Sequence, residues 1–141
     1  MSEENKAIAS RFNEFAQGNL ALLDELAAQD CVFHGAEAWG VPPTVEGMKR
    51  LLAGTSASLA DSEDTIELCL TEDDLVFMCH KMTFTRVGEF VGGLATDKRV
   101  SVVGYNVQRI VDGKVREFWG LLDIMGTMQN IGLIAAPGQS G

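Results

Sequence analysis

The chain has few basic residues and no long apolar run, and each scarcity excludes a class of protein. Its 141 residues include 11 lysines and arginines against 20 aspartates and glutamates, a net charge of −9. Nucleic acids and anionic membranes bind clustered cations, so neither is expected as a partner. No apolar stretch approaches the roughly 18 residues of a membrane helix, and the first residues do not resemble a secretory signal. We therefore expect a cytoplasmic protein.

Cysteine and histidine are also scarce. Cys31, Cys69 and Cys79 have no CxxC spacing and lie among apolar neighbours, which is typical of buried reduced thiols. His34 and His80 have no HxH or HxxxH spacing, so we expect no metal site. The glycine pairs lack the context of a dinucleotide or phosphate-binding loop, and no GxSxG motif is present.

The composition is that of a globular chain, with 46% hydrophobic and 22% charged residues, and its length fits one domain. We expect this domain over residues 1–134 and a flexible tail over 135–141. Apolar periodicity predicts helices over 3–17, 20–26, 45–52 and 124–133, and strands over 31–34, 65–70, 75–85, 99–111 and 114–122. Helices followed by long strands predict an α+β fold, with the helices packed across one face of a strongly bent antiparallel sheet.

The strand over 75–85 has one face without fixed charge. Val76, Met78, His80, Met82 and Phe84 alternate along it, which predicts that this face lies inside the protein. His80 would then point inward. The acidic residues 61–64 and 72–74 are most simply interpreted as a solvated edge.

The last hairpin predicts a polar group beside two glycines. A three-residue loop, Val111-Asp112-Gly113, would place Gly104 opposite Gly120, Asn106 opposite Phe118 and Val102 opposite Leu122. Opposed glycines either permit a tight bend or leave the floor of a cavity, for which Asn106 and His80 would be the polar groups. The other face would carry Tyr105, Trp119 and Leu121, large apolar side chains that suit a contact between two subunits.

Short segments along nearly the whole chain resemble the SnoaL-like polyketide cyclases, within the ketosteroid-isomerase-like fold that nuclear transport factors share. The resemblance rests on residues 4–12, 18–26, 32–35, 88–90, 98–101, 112–114, 117–120 and 122–123. It implies a cone-shaped α+β barrel around an apolar pocket that pairs through its outer sheet face. It also implies intramolecular aldol ring closure on a polyketide ester, without metal or organic cofactor.

The resemblance further implies an acid/base carboxylate directly after a Glu-x-Trp triplet, beside a histidine on the neighbouring strand. In this chain those positions hold Gly120 and Asn106, and the residue before Trp119, often histidine in relatives, is Phe118. His34 occupies a place where the family often has a pocket histidine. The chain thus resembles a cyclase or isomerase that lacks the usual carboxylate.

Three titratable residues are the catalytic candidates. His34 and His80 can titrate near neutral pH, although a histidine in an apolar segment is also often a satisfied core residue. Asp123 either caps the following helix or transfers a proton. Asn106 either donates to a substrate oxygen or is a satisfied buried amide. The residues expected to bind substrate are Asn106, Trp39, Phe118, Gly120, Leu122 and Met82.

The leading hypothesis is a cofactor-independent enzyme that cyclises or isomerises a small hydrophobic carbonyl compound such as a polyketide. The alternative is a non-catalytic protein that binds a hydrophobic ligand in the same pocket. Epoxide hydrolysis ranks third, because the predicted inward positions contain no Asp-Arg-Asp set. A homodimer through Tyr105, Trp119 and Leu121 is expected in each case.

Overall fold

The computed structural model describes residues 2–55, 59–86, 99–130, 132, 135, 137 and 138. The predicted tail over 135–141 lies mostly outside the described residues. None of the helices in the described ranges is both long and apolar enough to cross a membrane.

The elements follow the predicted order. The helices are α1 (Ser2–Phe12), α2 (Ala21–Leu26), α3 (Val45–Thr55) and α4 (Ile124–Asn130), with 3-10 segments at Asn13–Gln17 and Ala36–Trp39. The strands are β1 (Ala27–His34), β2 (Leu59–Glu72), β3 (Leu75–Arg86), β4 (Arg99–Val111) and β5 (Lys114–Leu122). The predicted first helix thus changes to a 3-10 segment at Asn13, and Asn13 is itself a residue of the candidate site described below.

The strands form one curled sheet in the order β1-β5-β4-β3-β2. Together with the N-terminal helices, this sheet confirms the predicted α+β class. One expectation is wrong: β1 pairs parallel with β5, whereas the other neighbours are antiparallel. Parallel neighbours require a long connection between them, and residues 35–113, which contain three other strands, provide it.

The hairpin of β4 and β5 corrects the predicted register. Val111 pairs with Lys114, so the loop has only two residues, Asp112 and Gly113, with φ of 52° and 76°. Two positive φ angles define a type I′ turn, which matches strand twist. A bulge between Arg109 and Ile110 then shifts the pairing by one more residue. The residues predicted to share a face therefore do share it, but each has a different partner on the neighbouring strand. Asn106 lies opposite Gly120, and Gly104 lies opposite Leu122, so the two glycines are not paired.

Two apolar clusters fill the concave side of the sheet. The larger lies between the helices and the sheet and contains four phenyl rings whose centroids are 4.9–6.3 Å apart, those of Phe12, Phe15, Phe33 and Phe118. The smaller contains Met82, Phe84, Val100 and Val102, with Leu122 and Ile124 packed against them. Along β3 and β4, the inward residues between these clusters are polar or glycine, and they form the candidate site.

Candidate functional site

A buried polar network separates the two apolar clusters. It consists of Asn13 from the 3-10 segment, Asp64 from β2, His80 from β3, and Asn106 and Gln108 from β4. As the alternation along β3 predicted, His80 points inward and is 4% exposed. Buried polar groups are costly unless they are hydrogen-bonded, and the members of this network bond to one another.

The network contains an imidazole paired with a carboxylate. Nδ1 of His80 lies 2.9 Å from Oδ1 of Asp64, and the two side chains are only 6% and 8% exposed. An ionised carboxylate can only accept, so Nδ1 of His80 donates this hydrogen bond. The neutral imidazole then carries its proton on Nδ1 and its lone pair on Nε2. Of the acids in the described ranges, Asp64 is the one that belongs to this network.

Asp64 is not among the predicted site residues, because a bulge in β2 turns it to the inner face. Glu72 pairs with Leu75 and Leu68 with Cys79, but the next pair is Ile66 with His80. One extra residue therefore interrupts the ladder, and such an insertion moves all following side chains to the opposite face. Without the bulge, Asp64 would lie on the exposed face within the acidic stretch that we interpreted as a solvated edge.

Three amide side chains continue the network from Asp64. Nδ2 of Asn13 donates to Oδ2 of Asp64 over 2.5 Å, and Nδ2 of Asn106 donates to Oδ1 of Asn13 over 3.0 Å. Nε2 of Gln108 donates to Oδ1 of Asn106 and to the backbone oxygen of Ala9, each over 3.2 Å. Each oxygen of Asp64 thus accepts from one neighbour, His80 on one side and Asn13 on the other.

Gly104 makes room for the imidazole. A Cβ atom at this position would lie 2.5 Å from Nε2 of His80 and 3.0 Å from a methyl carbon of Leu122. The space that this glycine leaves is therefore occupied by His80. Gly120 is likewise covered on its inner side, because a Cβ there would lie 2.7 Å from the Phe118 ring. The expected cavity floor of two opposed glycines is wrong, since neighbouring side chains fill both places.

A cleft of about 620 Å³ reaches the network from outside. It opens between the first helical segment and β2, and Asn13 and Asp64 are the network members that line it. Its other lining residues are Ala7, Ser10, Arg11, Glu14, Gln17, Glu63 and Ile66. Most of these residues are polar by type, whereas the sequence resemblance implied an apolar pocket.

His34 does not lie in the interior, in contrast to the pocket position that the sequence resemblance implied for it. Its Nε2 lies 2.8 Å from Oε2 of Glu117, and its ring stacks on Trp119 with centroids 4.7 Å apart. Nε of Arg109 donates to Oε1 of Glu117 over 2.9 Å. These two hydrogen bonds hold the pKa of Glu117 below its ordinary value, and the one from His34 has the larger effect. His34 therefore belongs to an exposed ion-pair cluster on the outer side of the sheet.

The remaining predicted site residues lie apart from the cleft. Asp123 is exposed, and its Oδ1 accepts from the backbone N–H of Gly126 over 2.9 Å, so it caps α4. Trp39 is 45% exposed at the end of its 3-10 segment. Met82 and Leu122 belong to the smaller apolar cluster and Phe118 packs on the larger one, while Gly120 is exposed. Of the predicted site residues, only His80 and Asn106 belong to the polar network.

The thiols are poor candidates for a nucleophile. Burial raises the pKa of Cys31 to about 12 and also raises the pKa of Cys69. A thiol is nucleophilic only as the thiolate, so Cys31 is inert at neutral pH. Within the described ranges, no three of the residues His, Cys, Asp and Glu come together as they would around a metal ion.

The chain is similar to several solved structures. AclR, a candidate hydroxylase from Streptomyces galilaeus, is 24% identical with a TM-score of 0.80, and the match covers 95% of this chain and 99% of AclR. IdmH, a candidate polyketide cyclase from Streptomyces antibioticus, is 27% identical with a TM-score of 0.76, over 92% and 98% of the two chains. A candidate polyketide cyclase from Bacillus cereus is 26% identical with a TM-score of 0.77, over 94% and 83%.

No curated protein matches the chain significantly. The family model of the SnoaL-like polyketide cyclases, however, matches residues 6–131. That range contains both apolar clusters, the polar network and the cleft. The chain therefore belongs to the SnoaL-like polyketide cyclase family.

Proposed function

We propose that the protein is a cofactor-independent enzyme that moves a proton on a small carbonyl compound, and that Asp64 and His80 form its acid/base pair. The observation that carries this proposal is the buried hydrogen bond between the two side chains beside a cleft of about 620 Å³. Buried pairs of titratable groups in a cleft are typical of catalytic sites. Membership of the SnoaL-like cyclases supports the same class of chemistry.

Asp64 is the member of the pair that lines the cleft, so its carboxylate is the group that takes the proton. The C–H bond next to the substrate carbonyl breaks, its electron pair forms an enolate, and the proton moves to Asp64. In ring closure, the enolate carbon bonds to a second carbonyl carbon of the same molecule, the C–O π bond of that carbonyl breaks, and the acid returns the proton to the resulting alkoxide. In isomerisation, the acid returns the proton to another carbon of the conjugated enolate, so that the double bond shifts. His80 orients the carboxylate through its Nδ1–H.

The cleft indicates which substrates fit. Ser10 and Gln17 offer a hydroxyl and an amide along its wall, which can donate to the substrate carbonyl. Glu14 and Glu63 also line it, and the whole chain carries a net charge of −9. We therefore propose a neutral keto compound with polar substituents, in keeping with polyketides, and not an anionic acid.

Deuterium exchange tests this proposal. The α-proton of a panel of aromatic keto esters is followed by NMR in D₂O with and without the protein. We expect catalysed exchange that falls by about 10²–10⁴-fold in Asp64→Asn, the usual contribution of a general base. His34→Gln, on the outer side of the sheet, is the control and keeps the rate. Full activity in Asp64→Asn would exclude the carboxylate as the base.

The alternative that the sequence left open, a non-catalytic binding protein of the same fold, predicts a different result from the same panel. The keto esters would then bind, as seen by line broadening, while their exchange rate stays at the protein-free value. The side chain of Phe118 against Gly120, where the sequence resemblance implies a carboxylate, is the feature that favours this alternative.

We also propose that two copies associate through the outer face of the sheet. This outer face comprises Phe77, Tyr105, Val107, Trp119 and Leu121, which line a shallow cleft of about 210 Å³. Tyr105 and Leu121 are 45% and 70% exposed, and contiguous exposed apolar side chains are typical of interfaces. The resemblance to the family supports the same pairing.

A further inference from the structure

The amide side chains of the polar network all point the same way along the chain of hydrogen bonds. Nε2 of Gln108 bonds to the backbone oxygen of Ala9 over 3.2 Å, and a backbone oxygen can only accept. The amide nitrogen of Gln108 must therefore face Ala9, which leaves its Oε1 without a partner among the described residues. Rotating this amide by 180° would place two oxygens against each other.

The orientation of Gln108 determines those of the other two amides. The same Nε2 also faces Asn106, which must present its Oδ1 over 3.2 Å, so Nδ2 of Asn106 faces Asn13. Asn13 in turn must present its Oδ1 over 3.0 Å, and its Nδ2 is then the atom that reaches Asp64. The orientation of each amide thus determines that of the next, from the backbone oxygen of Ala9 to the carboxylate of Asp64.

Burial fixes the orientations of these three amide side chains. Asn13, Asn106 and Gln108 are 2%, 3% and 0% exposed, so water does not compete for their polar atoms. In such surroundings consecutive hydrogen bonds polarise one another, and a reversed amide leaves unsatisfied groups. A single backbone carbonyl on α1 can therefore control which atom meets Asp64 across the width of the interior.

We infer that Gln108, Asn106 and Asn13 are positioning residues, which direct an N–H of Asn13 to Asp64 and so hold its carboxylate oriented toward the cleft. This role rests on the proposed function of Asp64 as the base. If Asn13 instead presented its oxygen, two hydrogen-bond acceptors would face each other, and Asp64 would lose the hydrogen bond that holds it beside the cleft.

The side-chain amide signal of Asn13 tests the inference in the full-length protein. In wild type we expect one Asn13 amide proton shifted downfield by the carboxylate. Gln108→Met, which keeps the size but removes the anchor on Ala9, should move this signal upfield although residue 108 does not contact Asp64. Thr127→Val is the matched control, because Thr127 is also buried and hydrogen-bonded but lies outside the network. It should leave the signal unchanged.

Kinetics provide the second readout. Asn13→Leu removes the donor itself, and we expect the exchange rate of the keto ester probes to fall by roughly ten- to a hundredfold, as for the loss of a hydrogen bond to a charged group, with KM unchanged. The exchange rate of Gln108→Met should also fall, but by less. An unmoved Asn13 signal in Gln108→Met, or an undiminished rate in Asn13→Leu, would overturn the inference. If the signal moves but wild type catalyses no exchange, the positioning of Asp64 stands and the proposed function fails.

Discussion

At the scale of single residues, the site depends on one position without a side chain. Gly104 lies where the imidazole of His80 crosses β4, and a Cβ there would meet Nε2 at 2.5 Å and Cε1 at 2.8 Å. The imidazole is the free end of a side chain, but its hydrogen bond to Asp64 holds it in place. It cannot retreat from a methyl group without stretching that bond. Gly104 is therefore required by the hydrogen-bonded His80 ring and not by the bend of the strand.

Gly104→Ala should destabilise the protein by about 1–3 kcal/mol, the usual cost of overpacking. Urea denaturation followed by circular dichroism measures this. Most of the cost should disappear when the same change is made in a His80→Ala background, because the ring that the methyl group meets is then gone. Equal costs in both backgrounds would show that Gly104 is needed for another reason.

Alternation along single strands predicts only part of this site. His80 was placed inward because its neighbours two residues away on β3 are apolar. In β1 the sequence has apolar residues on both faces, so alternation does not settle the direction of His34; the structure buries Cys31 and Phe33 and exposes Val32 and His34. Asp64 could not be found this way, because the bulge in β2 reverses the faces and leaves no mark in the residue types.

At the scale of elements, the β4–β5 hairpin shows how turn and bulge together set the register. The two-residue turn alone would place the predicted inner residues of β4 opposite the outer residues of β5. The bulge near Arg109 adds one residue and restores the match. The sequence predicts which faces are apolar, but both a three-residue loop and a two-residue turn with a bulge satisfy that pattern. The partners of Asn106 and Gly104 were therefore predicted wrongly although their faces were right.

The turn predicts a stability difference at Gly113. Its φ of 76° lies in the left-handed region. Gly113→Ala should cost about 1–2 kcal/mol, because a Cβ is disfavoured there. Gly113→Asn is the control and should cost less, since asparagine tolerates this conformation. Both values come from urea denaturation, and equal stability of Gly113→Ala and wild type would contradict the type I′ turn.

At the scale of the whole molecule, the outer ion-pair cluster makes stability depend on pH. The hydrogen bonds from His34 and Arg109 lower the pKa of Glu117 in the folded protein from the ordinary value of 4.5. A group whose pKa is lowered on folding stabilises the fold above its unfolded pKa, and this contribution is lost as the pH falls through the folded pKa.

Glu117→Gln tests this linkage. Between pH 7 and about pH 3, the free energy of unfolding of wild type should fall more steeply than that of the variant, because only wild type takes up a proton at position 117 on unfolding. Urea denaturation at a series of pH values provides the comparison. Parallel curves would show that Glu117 has the same pKa in the folded and unfolded chain.

The proposed dimer makes a separate prediction. Leu121→Asp places a charge at the most exposed apolar residue of the outer face, so native mass should shift from two chains to one. Met125→Asp changes a comparably exposed residue, 56% against 70%, on α4 and should leave the mass unchanged. A wild-type protein with the mass of one chain would exclude the dimer.

The proposed chemistry depends on Asp64 and His80 acting as one unit, and a double-mutant cycle on α-proton exchange tests this most directly. The rates of Asp64→Asn, His80→Gln and the double variant are compared with wild type on the same keto ester. We predict that the double variant is no slower than Asp64→Asn alone, because residues that act together lose their effect together. Losses that multiply, so that the double variant is slower by the product of both single effects, would contradict the pair.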